Sequence, residues 1–321
     1  MTIHVNIKKL VVMASVLALG ALLGVGASRF FLAPPSSPSA ITAPSPYDLI
    51  NPAATADIGK HFIINFSPLK KEFVAIQNKY TQKTYVYFVY LNNASWIGLG
   101  EKDVFYAAST VKVPLAMAIL KAVEDGKLRL TDRYTLEELD LNKDFGDLYK
   151  AGANKEFTVE ELLAIMLKES DNTAAVALTS IFAKIGVADP FRAVYGAMGW
   201  EFDNMEGVAD YRDINLKTLA NVFIVLYNAR YLTAEHSQLI LKHLSVTPFD
   251  NKIAASAPSD ITVAHKVGIA AGVNTFSDCG IIYAPNRHYL LCAGSQNADE
   301  ATANTFMSEI SKAAYSYVIE H

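Results

Sequence analysis

Three short groups of residues carry side chains that could act together on an acyl compound. In Ser109-Thr110-Val111-Lys112 a hydroxyl and an amine stand three residues apart, which on a helix places them on one face. A serine hydroxyl is a poor nucleophile until a base takes its proton. A lysine at the positive end of a helix, partly buried, is pushed toward its neutral, basic form. In Ser170-Asp171-Asn172 the Ser170 hydroxyl could relay a proton to a leaving group, and Asn172 could hold a substrate amide. In His265-Lys266-Val267-Gly268 the Lys266 ammonium could attract a carboxylate. There Gly268 would let a substrate backbone come close, and the next N–H, that of Ile269, could join that of Ser109 around an oxyanion.

Each group alone has a plainer explanation. A second Ser-x-x-Lys, Ser67-Pro68-Leu69-Lys70, is accounted for by Ser67 capping a helix with Pro at its first position. Ser170 to Asn172 are residue types that cap helices, and Lys266 could be a solvent-facing lysine on an edge strand, with His265 covering that edge. What separates Ser109 from Ser67 is its position at the mouth of the apolar run Val111 to Val123.

The surrounding pattern predicts the elements that must hold these residues. Tyr85 to Leu91, the turn Asn92-Asn93 and Trp96 to Leu99 predict a hairpin. Thr158 to Glu161 form a capping box ahead of a helix. Further helices are expected over Thr173 to Lys184, Leu216 to Asn228, Ala234 to Leu244 and Ala301 to Ile319. Ile261 to Val267, Phe276 to Tyr283 and His288 to Ala293 read as strands. Strands at both ends with helices between them predict an α+β fold, α/β in broader schemes: one antiparallel sheet built from both ends, flanked by helices, with an inserted all-α lobe. Tyr85, Tyr87 and Tyr90 then read as sheet packing. A tight turn at Pro285-Asn286 would set Cys279 opposite Cys292. Both a cross-strand disulfide and two buried thiols fit, and the thiols are the preferred reading.

The three groups together, in the order Ser-x-x-Lys, Ser-x-Asn, Lys-x-Gly, resemble the motif set of the penicillin-recognising serine enzymes, and among them the class A β-lactamase-like group. The phrases LLAIMLKESDNTAAVAL and NKIAASAPSDITVAHKVG carry the likeness beyond the motif cores, from about Phe73 to the C-terminus. The resemblance implies that Ser109 is acylated, Lys112 accepts its proton and Ser170 relays it. It implies that Asn172 and Lys266 bind the substrate, with Gly268 and Ile269 beside them. Two departures stand out. The stretch Gly199 to Asn215 lacks the Glu-x-x-Leu-Asn pattern of the hydrolytic members, leaving Glu201 and Glu206 as its glutamates. Val267 stands where the family carries a Thr or Ser hydroxyl.

The expected function is therefore an exported serine hydrolase that forms and hydrolyses an acyl-enzyme with β-lactams or related acyl-amides, a β-lactam-resistance activity. The alternatives are a D,D-peptidase acting on peptidoglycan stem peptides, and a catalytically quiet envelope-binding module. The partner is a β-lactam or a small peptidoglycan-derived substrate, the enzyme a monomer, and no cofactor or metal is expected.

The rest of the chain bears on where this happens. Of 321 residues 51% are hydrophobic and the net charge is −4, which gives no basic excess for nucleic acid. Two cysteines exclude a Cys-rich zinc module. Behind Lys8 and Lys9, residues 10–27 carry no charge. They predict a signal or a membrane anchor within 1–32, with the rest outside the cytoplasm, periplasmic or otherwise extracytoplasmic. Residues 33–57 hold six of the twelve prolines and predict an extended linker, with the hydrolase domain over 58–321.

Overall fold

The computed structural model describes Leu49 and residues 64–187, 189–199 and 211–321. All of these belong to one compact unit, Pro44–His321. The expected export segment lies outside the described residues. Among the described residues, no helix is long and apolar enough to cross a membrane.

The hairpin forms as read, with β1 over Lys83–Tyr90 and β2 over Ser95–Leu99. Short strands follow: β3 (Phe105–Tyr106), β4 (Arg133–Thr135), β5 (Glu156–Thr158) and β6 (Asp213–Ile214). From the C-terminal part come β7 (Val263–Ala270), β8 (Thr275–Ile282) and β9 (Tyr289–Gln296). The five long strands make one sheet in the order β2-β1-β9-β8-β7, each pairing antiparallel. Both ends of the domain thus build the sheet, as the sequence predicts, and β7 is an edge.

The helices are α1 (Ser67–Gln77), α2 (Lys112–Glu124), α3 (Val159–Glu169), α4 (Asn172–Lys184), α5 (Pro190–Ala197), α6 (Leu216–Tyr227), α7 (Ala234–Leu244) and α8 (Glu300–Glu320). Strand side chains alternate between faces, and β1 shows the result. Tyr85, Tyr87 and Val89 enter the core shared with the helical lobe. Val86, Phe88 and Tyr90 enter a second core closed by α1 and α8. The sheet is buried on both faces, so its strands read as near-continuous apolar runs.

Four local readings need correction or completion. Ser67 lies inside α1, whose N-cap is Phe66, and Asn65 Oδ1 accepts from the Ser67 N–H at 3.0 Å. Leu49, within the expected linker, is buried. Its N–H donates to Gln238 Oε1 at 3.0 Å and its carbonyl accepts from the Tyr283 hydroxyl at 2.8 Å, so the packed unit begins before residue 58. Cys279 and Cys292 pair across β8 and β9, and a disulfide joins them where the sequence favours free thiols. β7 runs on to Ala270, with Gly268, Ile269 and Ala270 paired to Ser277, Phe276 and Thr275, because Gly268 fits inside the strand. The candidate residues after Lys266 therefore sit on a ladder and not on a loop.

Candidate active site

Ser109 lies in a short 3₁₀ turn, Ala108–Val111, that feeds directly into α2. The turn is entered through Ala108 at φ 49°, a left-handed conformation that disfavours a β-carbon. Lys112 opens α2 and is 5% exposed. Its Nζ donates to Ser109 Oγ at 3.1 Å. It also has Asn172 Oδ1 at 2.6 Å, the Ser170 carbonyl and, at 3.4 Å, Ser170 Oγ within reach, more acceptors than its three N–H groups can serve at once. Burial pulls the Lys112 amine from the ordinary lysine value down to about 7, while Asp171 pulls the other way. Near neutral pH a large share of these amines is unprotonated, which is the state a general base needs.

Ser170 and Asn172 come from the corner between α3 and α4. Ser170 ends α3 with φ 61°, and Asp171 caps α4 by accepting from the Ala174 N–H at 2.8 Å. The other carboxylate oxygen of Asp171 accepts from the Leu148 N–H at 2.8 Å. The plain capping role therefore falls to Asp171, while Ser170 and Asn172 stand beside Lys112. A β-carbon on Gly146 (φ +90°) would fall 2.1 Å from Asp171 Oδ2, so only glycine lets the 142–148 loop wrap this corner. That loop is further tied by Asn172 N–H to the Phe145 carbonyl (3.0 Å) and by Asn142 N–H to Thr173 Oγ1 (2.9 Å). Asn142 Oδ1 accepts from Asn172 Nδ2 at 3.2 Å. Both ends of the Asn172 amide are thus engaged within the protein, and a substrate amide would meet an oriented group.

Lys266 is not the solvent-facing edge residue that a lone lysine on a strand suggests. It is 1% exposed, its Nζ has no hydrogen-bond partner, and it lies 5.8 Å from the centre of the Phe249 ring. Burial lowers its pKa well below the lysine range, the neighbouring Lys112 lowers it further, and Asp278 opposes both. His265 points to the other face of β7 and is buried too, its Nδ1 2.9 Å from Asp278 Oδ1. Gly268 is required for a reason other than the expected substrate approach. A β-carbon there would come within 2.5 Å of the Ala107 carbonyl and of Ser277 Oγ, so the glycine lets β7 lie against the turn that carries Ser109.

Ser109, Ser170, Asn172, Val267 and Ile269 line one open cleft of about 300 Å³. A wider adjoining cleft of about 680 Å³ shares Ser109, Asp144, Asn172 and Ile269 and adds Lys112 and Asn142. Ser109, Lys112, Ser170, Asn172 and Ile269 line these clefts, whereas Lys266 and Gly268 are buried and line neither. Asn142 and Asp144 escaped the sequence reading because they belong to no recognisable motif. Their one signal is the Gly146 that the loop requires. Asp144 is the carboxylate lining both parts of the cleft among the described residues. Glu201 and Glu206 lie outside the described residues, as do 200–210 as a whole. Among the described residues no group of three His, Cys, Asp or Glu could hold a metal.

A family model described as "Beta-lactamase enzyme family" matches residues 68–318. The beta-lactamase of Bacillus subtilis (strain 168) is 25% identical over 252 residues, covering 76% of this chain and 81% of that protein. Beta-lactamase SME-1 of Serratia marcescens is 23% identical over 260 residues, covering 76% and 87%. Among solved structures, a mutant of PBP-A in an acyl-enzyme complex with penicillin G superposes with a TM-score of 0.71 at 20% identity, covering 79% of this chain and 97% of the other. That last likeness is one of fold.

Proposed function

Taking as premise that the chain belongs to the beta-lactamase enzyme family, we propose that it is a serine hydrolase that forms and then hydrolyses an ester between Ser109 and the acyl group of a β-lactam or related acyl-amide. The observation that carries this reading is the buried Lys112 amine, 3.1 Å from Ser109 Oγ and with its pKa drawn to about 7. In the proposed step Ser109 Oγ attacks the carbonyl and its proton passes to the neutral Lys112 amine. The N–H groups of Ser109 and Ile269 hold the developing oxyanion. As the C–N bond breaks, the proton moves from Lys112 through the Ser170 hydroxyl to the departing nitrogen. Water then cleaves the ester and returns the proton to the serine. Lys266, buried and without a partner, would take up a proton and supply positive charge when a substrate carboxylate enters, because a nearby opposite charge favours the charged form.

The test is labelling by a fluorescent penicillin, with Ser109→Ala beside the wild type, followed by nitrocefin turnover. Label on the wild type alone supports the reading, and turnover beyond one equivalent means that the ester is hydrolysed. Absence of serine-dependent label and of turnover overturns it.

A second reading, a D,D-peptidase acting on peptidoglycan stem peptides, is favoured by the stretch 199–215, which lacks the Glu-x-x-Leu-Asn pattern of the hydrolytic members. The hydroxyl missing at Val267, which lines the cleft, takes away about 1.5–3 kcal/mol of binding to a substrate carboxylate in either reading. Release of D-alanine from a pentapeptide distinguishes it from a β-lactamase. For either reading we propose export through the uncharged segment 10–27 behind Lys8 and Lys9. Cell fractionation of the tagged chain tests this, and recovery in the cytoplasm overturns it.

A further inference from the structure

The amide of Asn172 has two orientations open to it, and only one of them leaves Lys112 able to act as a base. A lysine ammonium has three N–H donors and no acceptor, so loss of one proton leaves two donors and a lone pair. Asn172 Oδ1, at 2.6 Å, and the Ser170 carbonyl are atoms that can only accept, and together they take both N–H groups of the neutral amine. The lone pair is then left for a hydroxyl proton. Ser109 Oγ, at 3.1 Å, is the nearer of the two hydroxyls, with Ser170 Oγ at 3.4 Å. With the Asn172 amide turned over, Nδ2 would face the amine instead. That group can only donate, so it would occupy the lone pair that has to receive the serine proton.

The choice between the two is made outside the three motifs. The Asp144 backbone N–H, which can only donate, is 2.9 Å from Asn142 Oδ1, and this fixes which end of the Asn142 side chain is the oxygen. The same oxygen lies 3.2 Å from the Asn172 amide. Because it can only accept, Asn172 must present Nδ2 to it and Oδ1 to Lys112. The Asn142 backbone is pinned as well, its N–H donating to Thr173 Oγ1 at 2.9 Å and its carbonyl accepting from that hydroxyl at 3.1 Å. We infer that Asn142 is a positioning residue for acylation: through the amide of Asn172 it keeps the lone pair of Lys112 free for the Ser109 proton. Donors and acceptors run in one direction, from the Asp144 N–H through two side-chain amides to the lysine, and no part of that chain needs the substrate. The inference rests on the serine-hydrolase reading above and adds to the same site a residue that belongs to none of its motifs.

The experiment follows acylation of Ser109 in the full chain by mass spectrometry, per folded molecule. Rates are compared on the upper plateau of each variant's pH profile, so that a changed charge near the amine does not enter. Two acyl donors are used, penicillin G and a penicillin with hydrogen in place of the side-chain amide, because Asn172 is also the residue expected to hold that amide. Asn142→Leu removes the acceptor and frees the Asn172 amide to turn over. A fall of about tenfold or more is expected with both donors, since a general base in place contributes about 10²–10⁴-fold. Asn142→Ala removes the same acceptor with less bulk and is expected to fall likewise, whether or not the leucine is tolerated. Asn142→Asp keeps an oxygen for both donors and is expected to recover most of the lost rate. A fall confined to penicillin G overturns the inference, since Asn142 would then act on the substrate amide. An aspartate variant as slow as the leucine or alanine variant also overturns it, and so do leucine and alanine variants as fast as the wild type. In each of these cases a wild type that is still acylated leaves the hydrolase reading standing. A wild type acylated by neither donor overturns both.

Discussion

The two sides of the sheet are packed by opposite rules. On the side closed by α1 and α8, aromatic rings fill the space: Phe88 lies 5.4 Å from Tyr289 and 5.1 Å from Phe66, centre to centre, and Phe73, Phe88 and Phe306 are fully buried. On the side facing the helical lobe, beside the edge strand β7, two buried lysines stand close enough to repel one another, and one of them has no partner. Two non-glycine residues at that site, Ala108 and Ser170, have left-handed backbone. The first side is filled by rings, and its buried polar groups without partners include the uncharged hydroxyls of Tyr90 and Tyr289; the second buries amines beside the cleft. Buried amines and left-handed backbone of this kind cluster where a protein acts, and the contrast predicts that substitutions on the two sides will separate stability from chemistry.

The sharpest test of the second side is Lys112→Met. Removing a positioned general base costs about 10²–10⁴-fold in rate, and a drop of that size is expected in the acylation rate measured by stopped-flow with a chromogenic β-lactam. In the proposed step the base is the neutral amine. Acylation should therefore rise with pH through about 7 and level off above it. A rate that falls as pH rises through that range would assign the proton transfer to another group. On the first side, Phe88→Ala is expected to lower stability by about 3–5 kcal/mol in urea titration, with the acylation rate per folded molecule unaltered.

Lys266→Met probes the contrast from the reverse direction. Its amine is buried and unpartnered, and leaving a polar group so costs about 1–3 kcal/mol. Replacing it with an apolar chain of similar length should raise the stability measured in urea by that amount while weakening acylation by substrates that carry a carboxylate. The sign with pH follows from the lowered pKa. The unfolded chain binds a proton that the native site resists, so native stability is penalised most at low pH, and the gain should shrink as pH rises toward the ordinary lysine value. A loss of stability on substitution would mean that this side is packed by the same rules as the other.

The same division decides what could be read from the sequence. The strands and helices were legible because they alternate or repeat at the periods that bury one face, and the three motifs were legible because each is a short run of contiguous residues. The reason for Gly268 was not legible: it answers to the Ala107 carbonyl and Ser277, contacts made across the fold. Nor was the wall built by Asn142 and Asp144, where Asn142 is held by hydrogen bonds to residues about 30 positions away. The docking of Leu49 onto Gln238 and Tyr283 was hidden for a different cause, since a proline-rich composition says nothing about a single apolar residue that finds a pocket. The burial of Lys266 was missed in part because an edge strand ordinarily exposes one face, whereas here β7 packs against the Ser109 turn and the Phe249 ring lies over the amine.

Helix α3 carries the contrast within one element, and on the smallest scale. Its N-terminus is a reciprocal cap, with Thr158 Oγ1 accepting from the Glu161 N–H at 3.1 Å and Glu161 Oε2 accepting from the Thr158 N–H at 2.7 Å. Its C-terminus is Ser170, held left-handed with its carbonyl and hydroxyl turned to Lys112. Thr158→Ala should therefore cost about 1 kcal/mol of stability, the usual worth of such a cap, and leave the acylation rate as it was. Ser170→Gly removes a β-carbon from a conformation that glycine adopts freely, so it should lower stability by less than the Thr158 change. Yet it takes away the proposed relay to the leaving group and should slow acylation. If instead the cap substitution slowed acylation and the Ser170 change did not, α3 would be positioning the site through its N-terminus, and packing and chemistry would not divide along this helix.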